Sequence, residues 1–200
     1  MLPRLWLAVT FSLALPVAAF ASDLTEPIEQ LDASLLKVMK AGKSAPFQDR
    51  YDILTPFVAR AFDLDAILQD AVGAPWKSLQ VDRQKALASA FQQYSVATYV
   101  ANFDDYSGEQ FDLTPPQSGD DVVRVKIVPG PSGGETHTLG YVMQQTGGKW
   151  KAIDVIADGF ISQGAVQKAQ IRAIMALSGI DGLLSRLQNK TADIAGGPLR

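Results

Sequence analysis

The sequence predicts an α+β domain in which several helices pack against one four-stranded antiparallel sheet. Before residue 109 and after residue 163, apolar residues recur every three or four positions, which is typical of helices with one buried face. Between residues 109 and 159 apolar and polar residues alternate instead, as in strands with one buried face. Because helices precede and follow an uninterrupted run of strands, the order favours α+β over an alternating α/β fold.

Two helices open the predicted domain. The first spans residues 25–42, with Thr25 as its N-cap and Gly42 at its end. The second spans residues 46–63. We expect Pro56 to break or kink this second helix, because proline lacks a backbone donor and its ring clashes with the preceding turn.

Four further helices are predicted, two before the strands and two after them. Asp63 is the expected N-cap of the first of these, a short helix that Gly73 ends. The longest has an aromatic surface wider than a single packing stripe requires. The four helices span residues 63–73, 81–108, 164–179 and 181–190.

Four strands form a predicted meander, in which each strand pairs with the next along the chain. Gly147 and Gly148 separate the last two strands, and a glycine pair between alternating segments is typical of a tight hairpin. The strands lie within residues 109–115, 120–130, 136–146 and 149–159.

The N-terminal segment has the features of a secretory signal peptide. Arg4 precedes a short apolar run, and the small residues Ala19 and Ala21 stand where a signal peptidase requires them. We therefore predict cleavage after Ala21. The predicted parts of the chain are a signal peptide at residues 1–21, a single domain at residues 22–190 and a flexible tail at residues 191–200.

Composition excludes several classes of site. Removing 21 of the 200 residues leaves 179, and the loss of Arg4 changes the formal charge from −3 to −4. This acidic balance argues against a nucleic-acid partner. The chain has no cysteine and a single histidine, His137. Thiolate nucleophiles, cysteine-based zinc sites and multi-histidine metal sites are therefore not available.

Asp154 is the one catalytic candidate, because it lies in an otherwise apolar strand. Strict alternation places it on the same face as Ala152 and on the opposite face from Val155. A carboxylate in an apolar pocket can act as a general base if an acidic partner, such as Tyr99 or Tyr141, is near. Alternatively, the carboxylate has a structural role, in which it accepts hydrogen bonds from the backbone of the following turn or pairs with a basic side chain.

Aromatic residues are numerous for one modest domain, and their number allows two interpretations. They fill an ordinary core, or the helices and the sheet close incompletely around an apolar cavity. The residues concerned are Phe62, Trp76, Phe91, Tyr94, Tyr99, Phe103, Tyr106, Phe111, Tyr141, Trp150 and Phe160.

Several motifs, taken together in order and spacing, resemble the MlaC family of periplasmic lipid carriers. The pattern begins with F-x-x-R-Y, continues with F-D and G-x-x-W, and ends with W-K-x-x-D-V-x-x-x-G followed by serine. The resemblance covers residues 24–188, which is nearly the whole predicted domain. The matching residues are Phe47, Arg50, Tyr51, Phe62, Asp63, Gly73, Trp76, Trp150, Lys151, Asp154, Val155, Gly159 and Ser162.

The sequence departs from the family pattern at two places. Ile161 adds one residue between Gly159 and the final serine, and Gln80 stands where the family caps its long helix with serine or threonine. The start of that helix is therefore expected to be weaker. Within the family, residues 97–111 and 161–166 are most similar to the hopanoid-associated branch, HpnM.

The resemblance implies a function as well as a fold. MlaC-like proteins hold lipid tails between their helices and sheet and carry a phospholipid through the periplasm between the inner and outer membranes. The implied partners are an outer-membrane complex and an inner-membrane lipid transporter. That transporter is an ABC complex with an MCE-domain ring or, for the hopanoid branch, an RND-type exporter.

Such a carrier of phospholipid or hopanoid is not an enzyme and needs no cofactor, because the bound lipid is its cargo. Two alternatives stay open: a small pocket enzyme that uses Asp154 as general base, and an interaction module with a filled core. For the carrier we predict no catalytic or metal-binding residue, and structural roles for Asp154 and Gly159. The predicted lipid-binding residues are Phe62, Phe91, Tyr99, Phe103, Val125, Leu139, Tyr141 and Trp150.

Overall fold

The computed structural model describes residues 18–199, with side chains from residue 24 onward. Most of the predicted signal peptide lies outside the described residues, so cleavage after Ala21 stays a prediction. In chain order the helices and strands are α1 Ala18–Ala41, α2 Phe47–Ala61, α3 Leu64–Val72, α4 Val81–Asn102, β1 Gln110–Thr114, β2 Val122–Val128, β3 His137–Thr146, β4 Lys149–Ala157, β5 Ile161–Ser162 and α5 Gln163–Ala195.

Helix α1 begins earlier than the sequence predicts. It runs through Thr25 and Pro27 without interruption, so Thr25 is not its N-cap. The Thr25 hydroxyl instead donates to the carboxylate of Glu29, one turn further along, at 2.7 Å. Ile28 and Leu31 are fully buried, and burial of this apolar face stabilises the helix regardless of capping preferences.

Helix α2 continues through Pro56, so the expected break does not occur. Pro56 and Asp52, whose carbonyl loses its donor, are both exposed, and water can therefore solvate that carbonyl. On the opposite face, Leu54 and Val58 are fully buried. Packing of this face outweighs the one lost hydrogen bond.

The ends of α3 agree with prediction, whereas α4 is shorter than predicted. Oδ1 of Asp63 accepts a hydrogen bond from the backbone N–H of Ala66 at 3.1 Å, and Gly73 ends α3. Helix α4 ends at Asn102 rather than at residue 108. The intervening stretch contains aspartate, serine and glycine, which favour turns over helix.

The sheet has five strands in the order β1-β2-β3-β4-β5, and each strand is antiparallel to the next. The α+β class and the meander are confirmed, and the predicted number of four strands is wrong. The additional strand, β5, has only two residues and pairs with the end of β4. A pair of residues is too short to show an alternating pattern in the sequence.

Strand β4 contains a β-bulge that breaks the alternation of its side chains. Ala152 lies opposite Met143, and Val155 lies opposite Tyr141, which leaves Ile153 without a partner in β3. Met143 and Tyr141 are both buried on the inner face, so Ala152 and Val155 face the same side of the sheet. The expectation that they lie on opposite faces is therefore wrong.

Helix α5 is bent at Gly179, where φ is 66° and ψ is −166°. Glycine adopts such a conformation far more readily than other residues. The bend produces two limbs, residues 163–178 and 180–195, in agreement with the predicted pair of closing helices. The second limb extends into the predicted flexible tail, where Thr191 is buried and Ile194 packs against the core.

The core consists of two clusters that together cover the inner face of the sheet and the interior between the helices. The larger cluster joins α1, α2 and α4 to the sheet. The smaller cluster joins α3, α4 and α5 around Leu68, Phe91 and Leu183. In β2, Val125 is fully buried and the neighbouring Lys126 is exposed, so the other face of the sheet is solvated.

A carboxyl group is buried at the larger cluster. Asp32 is 6% exposed, and its Oδ1 has no hydrogen-bond partner among the described residues. Burial, assisted by the like charge of Glu29, raises the pKa of Asp32 to about 7. Unpaired polar groups in an apolar interior cost stability, so this region is a weak point of the core.

We predict that wild-type stability falls as the pH rises from about 4 to about 7, and that Asp32→Asn removes most of this fall. In that interval the folded state keeps a proton on Asp32 that the unfolded state has lost, so the free energy of unfolding decreases with rising pH. The decrease is at most about 4 kcal/mol. Urea unfolding of both proteins at about pH 5 and about pH 8 measures it. An identical pH dependence in the two proteins would contradict the prediction.

Candidate functional site

A cavity of about 500 Å³ lies between the sheet, α3, α4 and the start of α5. Its volume is within the range of about 300–1,000 Å³ that is typical of small-molecule sites. We term it cavity 1. Its apolar wall consists of Phe62, Leu64, Ile67, Tyr99, Phe103, Leu139, Ile153 and Val155.

Aromatic rings form a continuous row along this wall. The ring centres of Phe62 and Tyr99 are 5.6 Å apart, and those of Tyr99 and Phe103 are 5.9 Å apart with nearly parallel planes. Phe111 of β1 extends the row, 6.1 Å from Phe103. These separations are favourable for aromatic packing. The wide aromatic surface of α4 therefore both packs against the sheet and lines the cavity.

The opposite side of cavity 1 is mainly polar, although Val166 of α5 also lines it. Helix α5 contributes Gln163, Gln167 and Gln170, which share one face of the helix because of their spacing, and α4 contributes Asn102. None of these four amide side chains hydrogen-bonds to another described residue. They are therefore available to water or to a ligand, and the cavity is amphipathic.

Asp154 holds the start of α5 against the sheet. Its Oδ1 accepts hydrogen bonds from the backbone N–H groups of Val155, at 2.7 Å, and Gly164, at 2.8 Å. Its Oδ2 accepts from the Ser162 hydroxyl at 2.5 Å. The Ser162 oxygen in turn accepts from the N–H of Ala165 at 2.9 Å and so caps the helix. Two free donors at the helix N-terminus are satisfied, and a carboxylate lies at its positive end.

Gly164 is required by this arrangement, and sequence reasoning did not single it out. A Cβ atom at this position would lie 2.8 Å from Oδ1 of Asp154, closer than van der Waals contact permits. Any side chain there would separate the helix from the carboxylate. The available signal was the glycine itself, placed directly after a capping serine where helix-forming residues are otherwise preferred.

Gly159 lies outside cavity 1, in the turn between β4 and β5. The adjacent Asp158 accepts a hydrogen bond from the N–H of Thr138 at 2.8 Å, and its carboxylate is 3.1 Å from Nδ1 of His137. These contacts lower the pKa of Asp158, and the backbone hydrogen bond has the largest effect. Phe160, at the tip of the turn, is 91% exposed and does not line the cavity.

A second cavity, of about 560 Å³, lies between α4 and the two limbs of α5. We term it cavity 2. It shares Tyr94, Gln167 and Gln170 with cavity 1, so the two are neighbours along α4 and α5. The sequence predicts only one cavity, because the bend that brings the two limbs of α5 together is a tertiary feature.

The predicted lipid-binding residues fall into three groups. One group lines cavity 1, one residue lines cavity 2, and the last group lines neither. The groups are Phe62, Tyr99, Phe103 and Leu139; then Phe91; then Val125, Tyr141 and Trp150.

The residues of the last group lie deeper in the core than the cavity wall or at the far end of the sheet. Val125 and Tyr141 are fully buried, and the ring of Phe62 lies 6.0 Å from that of Tyr141, between Tyr141 and cavity 1. Trp150 lies at the other end of β4, where it is half-buried and packs against the larger core cluster. Alternation gives the face of a strand residue, but it does not give the depth.

The site offers little to a catalytic mechanism. Both oxygens of Asp154 already accept hydrogen bonds from the protein. Among residues 18–199, no group of three or more histidine, cysteine, aspartate and glutamate side chains is placed to hold a metal ion. The same part of the chain has no helix with the length and apolar character needed to cross a membrane.

A sequence model of the MlaC protein family matches residues 29–189. The protein belongs to the MlaC family. Among solved structures, this MlaC-family chain is similar to the phospholipid-binding protein from Ralstonia solanacearum, determined in complex with a phospholipid. The two chains are 18% identical with a TM-score of 0.70, and the match covers 86% of this chain and 99% of the other. At this identity the likeness shows a shared fold, and the family prediction is confirmed, whereas the HpnM branch stays a prediction.

We predict that Asp154→Ala lowers the free energy of unfolding by about 2–3 kcal/mol, because it leaves the Gly164 N–H and the Ser162 hydroxyl without an acceptor. Asp154→Asn keeps one acceptor oxygen and is expected to cost about 1 kcal/mol, with little change in bound lipid. Asp158→Asn, in an exposed turn, is the control. Urea unfolding gives the stabilities, and a wild-type stability for Asp154→Ala would show that the anchor is dispensable.

Proposed function

We propose that this MlaC family protein is a periplasmic carrier that encloses the apolar part of a phospholipid or hopanoid and moves it between the inner and outer membranes. The observation that carries the proposal is cavity 1, whose wall of aromatic and aliphatic side chains faces a mainly polar side. Family membership supports it, and so does the phospholipid bound to the similar protein from Ralstonia solanacearum.

The energetics of lipid transfer favour such a cavity. Each methylene group exposed to water costs roughly 0.8 kcal/mol, so two acyl chains cost on the order of 20 kcal/mol. Cavity 1 replaces that water with apolar side chains. Because transfer from a bilayer to the cavity exchanges one apolar environment for another, the net free energy is small, and both loading and release are feasible.

The enzyme alternative, with Asp154 as general base, has less support. A general base needs a free lone pair directed at its substrate. Asp154 borders cavity 1, but the N–H groups of Val155 and Gly164 and the Ser162 hydroxyl already occupy three of the roughly four lone-pair positions of its carboxylate. A carrier needs no catalytic group, because the lipid is its cargo and is not changed chemically.

The proposed partners follow from the route of the lipid between the inner and outer membranes. An inner-membrane transporter and an outer-membrane complex are needed to deliver the lipid to the carrier and to accept it. For the phospholipid cargo of the MlaC family, the inner-membrane partner is an ABC complex with an MCE-domain ring. For a hopanoid cargo it is an RND-type exporter.

Native mass spectrometry of the protein purified from the periplasm tests the carrier function. We expect a bound species that organic extraction releases and that is identified by its mass as a phospholipid or a hopanoid. Protein that is folded and free of lipid, both as purified and after incubation with lipid vesicles, would refute the proposal.

We further predict that Leu139→Arg lowers the bound lipid several-fold while the protein stays folded. Leu139 is half-buried and lines cavity 1, so the guanidinium of an arginine there can occupy the part of the cavity proposed for the acyl chains or reach the polar side. Gln144→Arg, on an exposed position of the same strand, is the matched control. The measurements are lipid per protein and circular dichroism. A folded Leu139→Arg protein with a full lipid load would place the lipid elsewhere.

A further inference from the structure

Cavity 2 is lined mostly by apolar side chains, and the proposed function gives it no role. It lies where the two limbs of α5 diverge from the bend at Gly179. Each cavity, at about 500 and about 560 Å³, is within the size range of small-molecule sites and has room for an apolar chain. The apolar lining of cavity 2 is Phe91, Ile171, Ile174, Leu183, Leu187 and Ile194.

Two cations lie on the wall of cavity 2, whereas the lining of cavity 1 has none. Arg186 and Lys190 are one helical turn apart on the second limb of α5. Neither has a hydrogen bond or an ion pair with another residue of the described chain. Both side chains are exposed, and like charges at this spacing repel each other weakly, so an anion bound between them would be favourable.

The cationic side chains on the first limb of α5, in contrast to this pair, both contact α3. Nζ of Lys168 is 2.7 Å from the carboxylate of Asp70. Nε of Arg172 donates to the carbonyl of Ala71 at 3.4 Å. Both contacts tie α5 to α3 and have a structural role. Arg186 and Lys190 have no such contact and face a cavity.

The two cavities meet at a shared wall. Tyr94, Gln167 and Gln170 line both cavities. A molecule that branches at this wall can send one chain into each cavity. Arg186 and Lys190 lie on the same cavity as this wall, so they are placed to bind an anionic group close to the branch point.

We propose that the two cavities take the two acyl chains of one lipid and that Arg186 and Lys190 bind its phosphate. This inference rests on the proposed carrier function and narrows the cargo to a two-chain lipid with a phosphate. A rigid polycyclic lipid has one apolar body, which cannot divide between two cavities. Guanidinium and ammonium groups form charge-assisted hydrogen bonds with phosphate oxygens, and these bonds are stronger than those that neutral amides form.

The charge of the site is tested with Arg186→Gln combined with Lys190→Gln. Delipidated protein is incubated with vesicles of equal parts phosphatidylglycerol and digalactosyldiacylglycerol. Both lipids have two chains, and only the first has a phosphate. We expect the wild type to load mostly phosphatidylglycerol, and the double variant to lose this preference by about tenfold or more.

The matched control is Lys77→Gln combined with Lys85→Gln, which removes the same charge from exposed positions outside both cavities. It is expected to keep the wild-type preference. If the double variant at the cavity behaves like this control, the phosphate site is refuted while the carrier function stands. If the wild type loads neither lipid, the two-chain cargo of this inference is refuted, and the carrier function then depends on the native mass spectrum of the purified protein.

The second chain is tested with Ala173→Trp, which introduces an indole into cavity 2 from an exposed position. Ala169→Trp, on the same limb but lining neither cavity, is the control. We expect Ala173→Trp to load phosphatidylglycerol several-fold less than the control and to load the single-chain lysophosphatidylglycerol equally well. Equal loading of the two-chain lipid by both variants would show that the second chain lies outside cavity 2.

Discussion

The hydrogen bonds of Asp154 hold the start of α5 next to the end of the sheet, and the rest of the site depends on them. Cavity 1 lies between that helix and β4, so its width is determined where Gly164 meets the carboxylate. Cavity 2 lies on the other side of the same limb. One carboxylate therefore sets the position of a helix that forms a wall of both cavities. The absence of a side chain at Gly164 allows the close approach.

A large apolar cavity conflicts with the ordinary requirements of a core. A protein interior packs at the density of an organic crystal, and empty space forfeits dispersion contacts. Here the helices close over the sheet through two separate clusters rather than one. The larger cluster also accommodates the buried Asp32, whose Oδ1 has no hydrogen-bond partner among the described residues. Bound lipid would add apolar contacts to the folded state and offset part of this cost.

The same carboxylate supports different conclusions in the sequence and in the structure. In the sequence, Asp154 is a candidate base, because it stands among apolar residues. In the structure, the bulge at Ile153 directs Asp154 toward the start of α5, where Val155, Ser162 and Gly164 occupy its oxygens. The polar residue in the apolar strand therefore stabilises a helix terminus, and cavity 1 otherwise presents apolar side chains and neutral polar groups to a ligand.

The sequence by itself determined the fold class, the meander, the caps at Asp63 and Gly73 and the family, because these depend on local periodicity, turn residues and motif spacing. Half of the predicted lipid-binding residues line cavity 1, since helical and strand periods report which face is apolar. Only the tertiary structure decided the fifth strand, the bulge at Ile153, the continuity of α2 through Pro56 and the second cavity. The second cavity and the continuity of α2 result from packing between segments that are distant in the chain. The fifth strand and the bulge form between neighbouring strands, but each involves too few residues to show a periodic pattern.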